Sequence, residues 1–276
     1  FEKGNLDVAF LGTTASVDRI AGMEADGLRV ANIPLTKIGD FCMSTIIEDQ
    51  TFVDENKRLA IAYAIDVPAI VEAIAGSTSI PASSIIPSGC LGYQDMSYEY
   101  NPELAKEYLE KAGCPEGFTF TMEVANNQQL NLELAEAIQA YLSMVGINMV
   151  IEPVDFITQF SDMLAGLELC SIMVATANGD PSMAMAAFAD GSGLCISESH
   201  DEEFNSLIEL VRHERDQDTR LEYLAELQQY VHDKAITIPI YERVYSLGYQ
   251  DYVLGVEDCG IKGENMIYAN RLSFNR

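Results

Sequence analysis

The sequence FTFTMEV at residues 118–124 opens the stretch that decides the fold. Phe, Phe, Met and Val alternate in it with other residues, as they do in a half-buried strand. Helical spacing follows over residues 131–146 and 155–166, and apolar strand patterns occupy residues 147–154 and 169–176. Strands that alternate with helices at these spacings predict an α/β fold with a mostly parallel sheet and helices on both faces.

The loop after the last of these strands is the first place to look for a ligand. In open α/β sheets, ligands bind outside the carboxyl ends of the strands. We therefore expect the loop 175–181, which contains Asn-Gly-Asp-Pro, at the carboxyl edge of the sheet. Asp180 could contact a ligand there, although an aspartate before a proline more often caps a helix.

The net charge excludes one class of partner. The chain has 276 residues, with 16 Lys and Arg against 43 Asp and Glu, and a formal net charge of −27. This charge repels phosphate backbones and anionic lipid headgroups, so we expect no nucleic-acid partner. The apolar runs are shorter than the ~20 residues that cross a bilayer, so we expect no spanning helix.

The cysteine and histidine spacings argue against a metal or redox site. The six cysteines are each more than twenty positions apart, so no Cys-x-x-Cys exists to hold a metal or exchange thiols, and we expect free thiols rather than disulfides. His200, Asp201 and Glu203 could offer ligands to a metal. Adjacent side chains at a helix start point in different directions, however, and acids there suit the helix dipole. We expect neither a metal nor a cofactor.

Catalytic motifs are also absent from the sequence. It contains no GxSxG elbow, P-loop, GxGxxG or HExxH motif. The three histidines, at positions 200, 213 and 232, suggest no Ser-His or Cys-His pair. These motifs therefore do not favour an enzyme.

The stretch DENKRLAIAYAID, residues 54–66, has the signs of a helix that Asp54 caps. Asp66 can cap a second helix at once, with a proline in its first turn. Asn101 begins a third helix in the same way, again just before a proline. Arg58 could reach a ligand carboxylate, but its position in the first turn of the first helix is more typical of a surface or ion-pair residue.

Taken together, these segments resemble the extracellular solute-binding proteins of family 5, the peptide- and nickel-type receptors of ABC importers. Residues 58–66 are similar to that family's helix pattern Arg-x-Ala-Ile-x-Tyr-Ala-Ile-Asp. The matching positions are Arg58, Ala60, Ile61, Tyr63, Ala64, Ile65 and Asp66. The segments 98–118, 178–181 and 202–241 follow the family's order, and the resemblance runs over the whole chain.

The resemblance implies a type II periplasmic-binding-protein-like fold, of which this chain would hold the second lobe. Residues 38–240 would form a complete ligand-binding lobe. Residues 1–37 would be a remnant of the first lobe with the hinge crossing, and residues 241–276 the return crossing with another first-lobe remnant. Such receptors close around a small solute held between the lobes and present it to a membrane permease. An isolated chain with one lobe absent would bind its solute weakly.

The implied function is that of the solute-binding component of an ABC importer, with a peptide-like or other small solute as ligand and permease subunits as partners. The implied location is extracytoplasmic, on the cell surface or in the periplasm. The protein would be a monomer that meets the membrane only through a lipid anchor upstream of this segment. The alternative is the ligand-sensing domain of a cytoplasmic transcription regulator with the same fold, which unpaired cysteines would suit.

The resemblance also places the ligand contacts. The candidate ligand-binding residues are Val174, Ala177, Asn178, Gly179, Asp180 and Tyr241. Peptide-binding relatives carry a tryptophan at the position of Val174 and, at the position of Ala177, an aspartate that pairs with the ligand's amine. A buried ammonium without a carboxylate costs several kcal/mol, so we expect a solute that is not held by a free amine. Tyr241 is the aromatic candidate for the cleft wall, with core packing as an equal alternative.

Such a solute could be an N-blocked or cyclic peptide, a sugar or a metal chelate.

Overall fold

The computed structural model describes residues 1–45, 49, 51–126, 129–167, 170–176, 180–181, 201–260 and 267–275. Its helices are α1 (Thr14–Ala21), α2 (Glu55–Ala64), α3 (Val67–Ile74), α4 (Pro102–Lys111), α5 (Gln129–Ser143), α6 (Phe156–Ala165), α7 (Glu202–His213) and α8 (Gln217–Lys234). Its strands are β1 (Val8–Phe10), β2 (Leu28–Met43), β3 (Ser79–Pro81), β4 (Thr119–Ala125), β5 (Asn148–Val154), β6 (Cys170–Thr176), β7 (Thr237–Gln250), β8 (Val253–Leu254) and β9 (Ser273–Phe274).

Short polar side chains begin the helices that the sequence predicts. Asp54 accepts a hydrogen bond from the backbone N–H of Asn56, Asp66 accepts one from Ala69, and Asn101 accepts one from Leu104. Each bond satisfies a donor that a helix start leaves unpaired, which is why these caps can be recognised from sequence. The predictions of helices beginning at these three residues are confirmed.

The central sheet is antiparallel, with the strand order β1-β7-β2-β6 and with β3 also paired to β7. Among the described strands, only β4 and β5 pair in parallel, and they form a sheet of their own. The α/β class is confirmed, but the prediction of a mostly parallel sheet is wrong for these strands. It fails because β2 and β7 lie at opposite ends of the chain, and local periodicity does not reveal which distant strands pair.

The buried side chains form two main cores on opposite faces of β2. Phe41 belongs to the first core, together with residues of α2, α3, α4 and α5. Cys42 belongs to the second core, together with residues of α7 and α8. Successive residues of a strand point to opposite faces, so helices pack on both sides of the sheet, as predicted. Two smaller cores draw only on residues 1–33 and 245–272.

The cysteines that the structure describes form no disulfide with one another: Cys42, Cys90, Cys114, Cys170 and Cys259. Cys195 lies outside the described residues. We expect thiol titration under denaturing conditions, without reductant, to find all six cysteines free. A count of four or fewer in freshly purified anaerobic protein would contradict this expectation.

Candidate functional site

An open cleft with a volume of about 560 Å³ lies where the small cores meet the first main core. Ligand pockets typically have ~300–1,000 Å³, so the cleft is large enough for a small solute. One wall is the segment 10–15, which links β1 to α1. The opposite wall is formed by the end of α3, the turn after it and one face of α5, and the floor is formed by β2 and β7.

The floor of the cleft contains a β-bulge. Pro34 pairs with Val244 and Ile38 pairs with Glu242, so residues 35–37 of β2 lie opposite the single residue Arg243 of β7. Bulges of this kind re-aim side chains and are over-represented next to functional sites. Here the bulge places Lys37 beside Arg243 in the lining of the cleft.

Lys37 and Arg243 also lie on one face of the sheet. In the β2-β6 ladder, Lys37 shares its face with Gly39, because residues two apart point the same way. Gly39 pairs with Tyr241, and Arg243 lies two residues further along β7. The Arg243 guanidinium lies 6.0 Å from the centroid of the Tyr241 ring. Two cations therefore face the cleft from neighbouring strands.

An aromatic pair stands at the same end of the cleft. The rings of Phe10 and Tyr245 stack with their centroids 4.9 Å apart and an interplanar angle of 19°. The Phe10 side chain is 56 % exposed, although a phenylalanine is usually buried. Both rings line the cleft, and they offer an apolar surface to a ligand held there.

Hydrogen bonds join the two walls at one end of the cleft. The Thr14 hydroxyl donates to the carbonyl of Ala75 at 3.0 Å, and the Ser77 hydroxyl donates to a carboxylate oxygen of Asp18 at 3.1 Å. Gly76 between them has a φ of +52°, in the left-handed region that favours glycine. The walls are thus held in contact by α1 and the turn that follows α3.

The structure brings two of the predicted site residues together. Val174 pairs with Gly39 on one side of β2, and Tyr241 pairs with Gly39 on the other. The Tyr241 ring lies over Gly39, because a Cβ atom added to that glycine would collide with the ring. Tyr241 is fully buried in the first core and its burial raises the pKa of its hydroxyl, while Val174 is half-buried against the same core. In this conformation, Tyr241 is part of the first core and does not line the cleft.

Asp180 is bound to another side chain. Its carboxylate accepts a hydrogen bond from the guanidinium of Arg220 on α8 at 2.7 Å, and Arg220 also donates to the carbonyl of Val211 at the end of α7. This ion pair ties the end of the loop 175–181 to the α7-α8 hairpin. Ala177, Asn178 and Gly179 lie outside the described residues, so their contact with a ligand stays a prediction.

The sequence also raised the possibility that side chains at residues 200–203 hold a metal ion, and the structure describes part of this segment. Asp201 caps α7 by accepting from the backbone N–H of Phe204 at 3.0 Å, and it accepts from the hydroxyl of Tyr230 at 2.7 Å. His200 lies outside the described residues. Within the described part of the chain, no group of three or more Cys, His, Asp or Glu side chains is placed to hold a metal ion. No described helix is both long enough and apolar enough to cross a membrane.

The sequence predicts a surface or ion-pair residue at Arg58, and this prediction is wrong. Only 5 % of the residue is exposed. Its guanidinium donates to the carbonyls of Phe52, Val53, Lys234 and Ala235 at 2.6–3.1 Å. Packing of α2 against the end of α8 brings these carbonyls together, which no local pattern reveals. Arg58 thus caps the carboxyl end of α8, where Ala235 has a φ of +43°.

Asp40 is a buried acid that sequence reasoning missed. It is 1 % exposed, and neither carboxyl oxygen has a hydrogen-bond partner among the described residues. The hydroxyls of Thr36 and Ser171 are also buried and have no hydrogen-bond partner within the described part of the chain. Burial raises the pKa of the Asp40 carboxyl well above its usual value. Glu242 is buried as well, but its carboxylate accepts hydrogen bonds from the backbone and the hydroxyl of Ser88.

Comparison with known proteins gives both a family and a fold. The family profile described as "Bacterial extracellular solute-binding proteins, family 5 Middle" matches residues 1–193. The dipeptide-binding protein of Escherichia coli K12 is 28 % identical over 228 residues, which cover 78 % of this chain and 42 % of that protein. The glutathione-binding protein GsiB of Escherichia coli O6:K15:H31 is 29 % identical over 114 residues, or 41 % of this chain and 22 % of that protein.

Solved structures share the fold at low identity. HbpA2 from Haemophilus parasuis superposes with a TM-score of 0.86 at 22 % identity, covering 100 % of this chain and 55 % of that one. DppA from Helicobacter pylori in complex with peptide STSA superposes with a TM-score of 0.78 at 20 % identity, covering 99 % of this chain and 54 % of that one. The chain therefore spans about half the length of these structures, and at this identity the likeness concerns the fold alone.

Proposed function

The chain belongs to the bacterial extracellular solute-binding proteins of family 5, and on this premise we propose that it captures a small solute in the cleft and delivers it to the permease of an ABC importer. The cleft, whose lining includes two basic side chains and a stacked aromatic pair, is the observation that carries the proposal. Its lining offers places for binding a ligand. Membership of a family of binding proteins supports a carrier rather than an enzyme.

We further propose that the cleft closes by a hinge motion on β2 and β7. These two strands run without interruption past the proposed boundaries at residues 37/38 and 240/241. The main cores use residues 41–241, while the small cores use residues 1–33 and 245–272. This separation supports a division into residues 1–37, 38–240 and 241–276, with strands β2 and β7 as the crossings.

The proposed solute is peptide-like. The names of two relatives state that one binds dipeptides and the other glutathione, and both ligands are peptides. Ala177 stands where the resemblance expects the acid that pairs with an amine, so the peptide would not be held by a free amino terminus. An N-blocked or cyclic peptide meets this condition. We also propose contacts from Val174, Ala177, Asn178, Gly179 and Asp180, and from Tyr241 if closure exposes its ring.

The family description says extracellular, and this favours a component of an importer. The alternative, a sensory domain of a cytoplasmic regulator, would lie inside the cell. We propose an extracytoplasmic monomer, with ABC permease subunits as partners and with a lipid anchor outside this segment as its contact with the membrane. Detection of the protein in the cytosol together with a DNA-binding domain in the same gene product would favour the regulator.

Calorimetric titration of the full-length gene product tests the solute. We expect N-acetylated di- to pentapeptides to bind at least as tightly as the same peptides with a free amine, because the described lining of the cleft presents more cations than carboxylates. Each peptide and its acetylated copy form a matched pair. Micromolar binding that disappears on acetylation would show that another residue holds the amine.

A further inference from the structure

The helix α6 presents an apolar flank to solvent. The flank consists of four large side chains that are 42–75 % exposed: Phe156, Ile157, Phe160 and Leu164. At 3.6 residues per turn, these four positions lie within an arc of ~100° on the helix surface. On the other helices that the structure describes, the exposed large apolar side chain is Leu210 of α7 alone. The apolar flank therefore distinguishes α6 from the rest of the described helices.

A neighbouring side of α6 is packed against the lobe. Gln159 and Met163, four residues apart, are both buried. The side-chain amide of Gln159 donates to the carbonyl of Glu123 on β4 at 2.9 Å, and Met163 belongs to the second core. The helix is thus fixed in place while its apolar flank stays exposed. Contiguous exposed apolar surface of this kind marks a site where another molecule packs.

The apolar flank begins at the edge of the sheet that bears the cleft. Strands β4 and β5 are parallel, so their last residues, Ala125 and Val154, lie at one edge of their sheet. Helix α5 follows β4 and contributes Leu130 and Glu133 to the lining of the cleft, and helix α6 follows β5. Both helices therefore start at the same edge. A molecule docked on the apolar flank would contact the lobe near the cleft.

The charge around the apolar flank indicates the chemistry of its partner. Residues 112–211 contain 15 Asp and Glu but no Lys or Arg. The charged side chains of β4, β5, α6 and its cap are all acidic: Glu123, Glu152, Asp155 and Asp162. Glu123 pairs with Glu152 across the two strands, where like charges destabilise a sheet. Burial, and then the negative charges of Asp162 and Glu152, raise the pKa of Glu123. Lys or Arg side chains from a partner would offset this repulsion.

Two other occupants of the apolar flank fit this charge poorly. In a symmetric contact with a second copy of the chain, the acidic surroundings of two α6 helices would face each other, and like charges would repel. A membrane surface with anionic lipids would also repel them. A protein surface that is apolar at its centre and basic around it complements both the apolar flank and the charge.

We propose that the apolar flank of α6 is a docking surface for a protein whose contact surface is apolar and bordered by Lys or Arg, and that this protein is the permease of the proposed importer. The inference rests on the proposed function, because it assigns the surface through which the carrier meets its permease. Since complementary charge steers diffusional encounter, docking should be faster at low salt than at high salt.

Docking of the full-length protein to the permease complex encoded beside its gene, held in phosphatidylcholine nanodiscs, tests the inference. We expect Ile157→Gln/Leu164→Gln to weaken docking at least about tenfold, because a few apolar anchors carry most of the affinity of an interface. Ile157→Lys should weaken docking more than Ile157→Glu does, because a lysine repels a basic partner. This difference should shrink in ~1 M salt, where the screening length is only ~3 Å.

Leu210→Gln is the matched control, because it removes an exposed leucine from α7 and should leave docking unchanged. Thermal unfolding checks that each variant folds. Titration with the acetylated peptides should give each α6 variant the affinity of the wild type, because the described lining of the cleft includes no residue of α6. Docking of the double variant as tight as that of the wild type would overturn the inference alone.

The remaining outcomes separate the inference from the proposed function. A wild type that does not dock would overturn both the inference and the proposed delivery to a permease. A wild type that docks but binds no peptide would overturn the proposed solute and leave the inference standing. Equal docking of Ile157→Lys and Ile157→Glu at low salt would contradict a basic partner surface. Binding to nanodiscs that lack the permease, or a dimer in sedimentation that the double variant abolishes, would replace the permease with a lipid surface or a second copy.

Discussion

Replacing Arg58 with methionine should lower the free energy of unfolding by about 3–5 kcal/mol. The guanidinium of Arg58 donates to four carbonyls, and an unsatisfied buried acceptor costs ~1–3 kcal/mol. Two of these carbonyls, from Lys234 and Ala235, end α8, while those of Phe52 and Val53 precede α2. Because methionine has a similar length but no donor, the loss reports the hydrogen bonds rather than the packing of the stem.

Chemical denaturation of Arg58→Met, Arg58→Lys and the wild type measures the effect. Lysine keeps the charge but replaces the planar fork with a single ammonium, so its loss should lie between those of the other two proteins. Arg212→Met is the control, because it removes an arginine from the exposed surface of α7 and should change stability by no more than about 0.5 kcal/mol. A loss below 1 kcal/mol for Arg58→Met would contradict the role of Arg58 as a cap.

Replacing Asp40 with asparagine should give a variant whose free energy of unfolding increases relative to that of the wild type as the pH rises. Burial raises the pKa of Asp40 in the folded protein, whereas the unfolded chain has a pKa of ~3.9. Between these two values, the folded state binds more protons than the unfolded state. The free energy of unfolding of the wild type therefore falls with increasing pH, by up to ~1.4 kcal/mol per pH unit, until the folded carboxyl ionises. Asparagine has no proton to lose, so this slope should disappear.

Denaturation of both proteins from pH 4 to pH 8 tests the expectation through the difference between them. Glu242 and Glu123 are also buried acids whose pKa values burial raises, but they are present in both proteins and cancel in the difference. Asp95→Asn serves as the control, since it removes an exposed carboxylate and should leave the slope of the wild type in place. A constant difference between Asp40→Asn and the wild type across this range would show that Asp40 does not titrate as inferred.

The cleft shows why a site can be hard to find from sequence. Lys37 and Arg243 lie more than two hundred residues apart in the sequence. Taken alone, each one has the sequence context of an ordinary charged surface residue. The one local signal is the alternation of Tyr241, Arg243 and Tyr245, which places these three side chains on one face of a strand. It does not reveal that β2 bulges opposite Arg243 and presents Lys37 beside it. The rule that predicts a ligand at the loop 175–181 holds for parallel sheets, and it does not apply to the antiparallel pairing of β6 with β2.

By itself, the sequence determined the features that depend on neighbouring residues. The helix starts at Asp54, Asp66 and Asn101, the α/β class and the family resemblance all follow from caps, periodicity and motifs within short segments. Only the tertiary structure decided the antiparallel pairing of β2 with β7, the burial of Arg58 and Asp40, and the approach of Lys37 to Arg243. The physical reason is that local hydrogen bonding limits the backbone of each segment, whereas burial and electrostatic environment depend on which distant segments pack together.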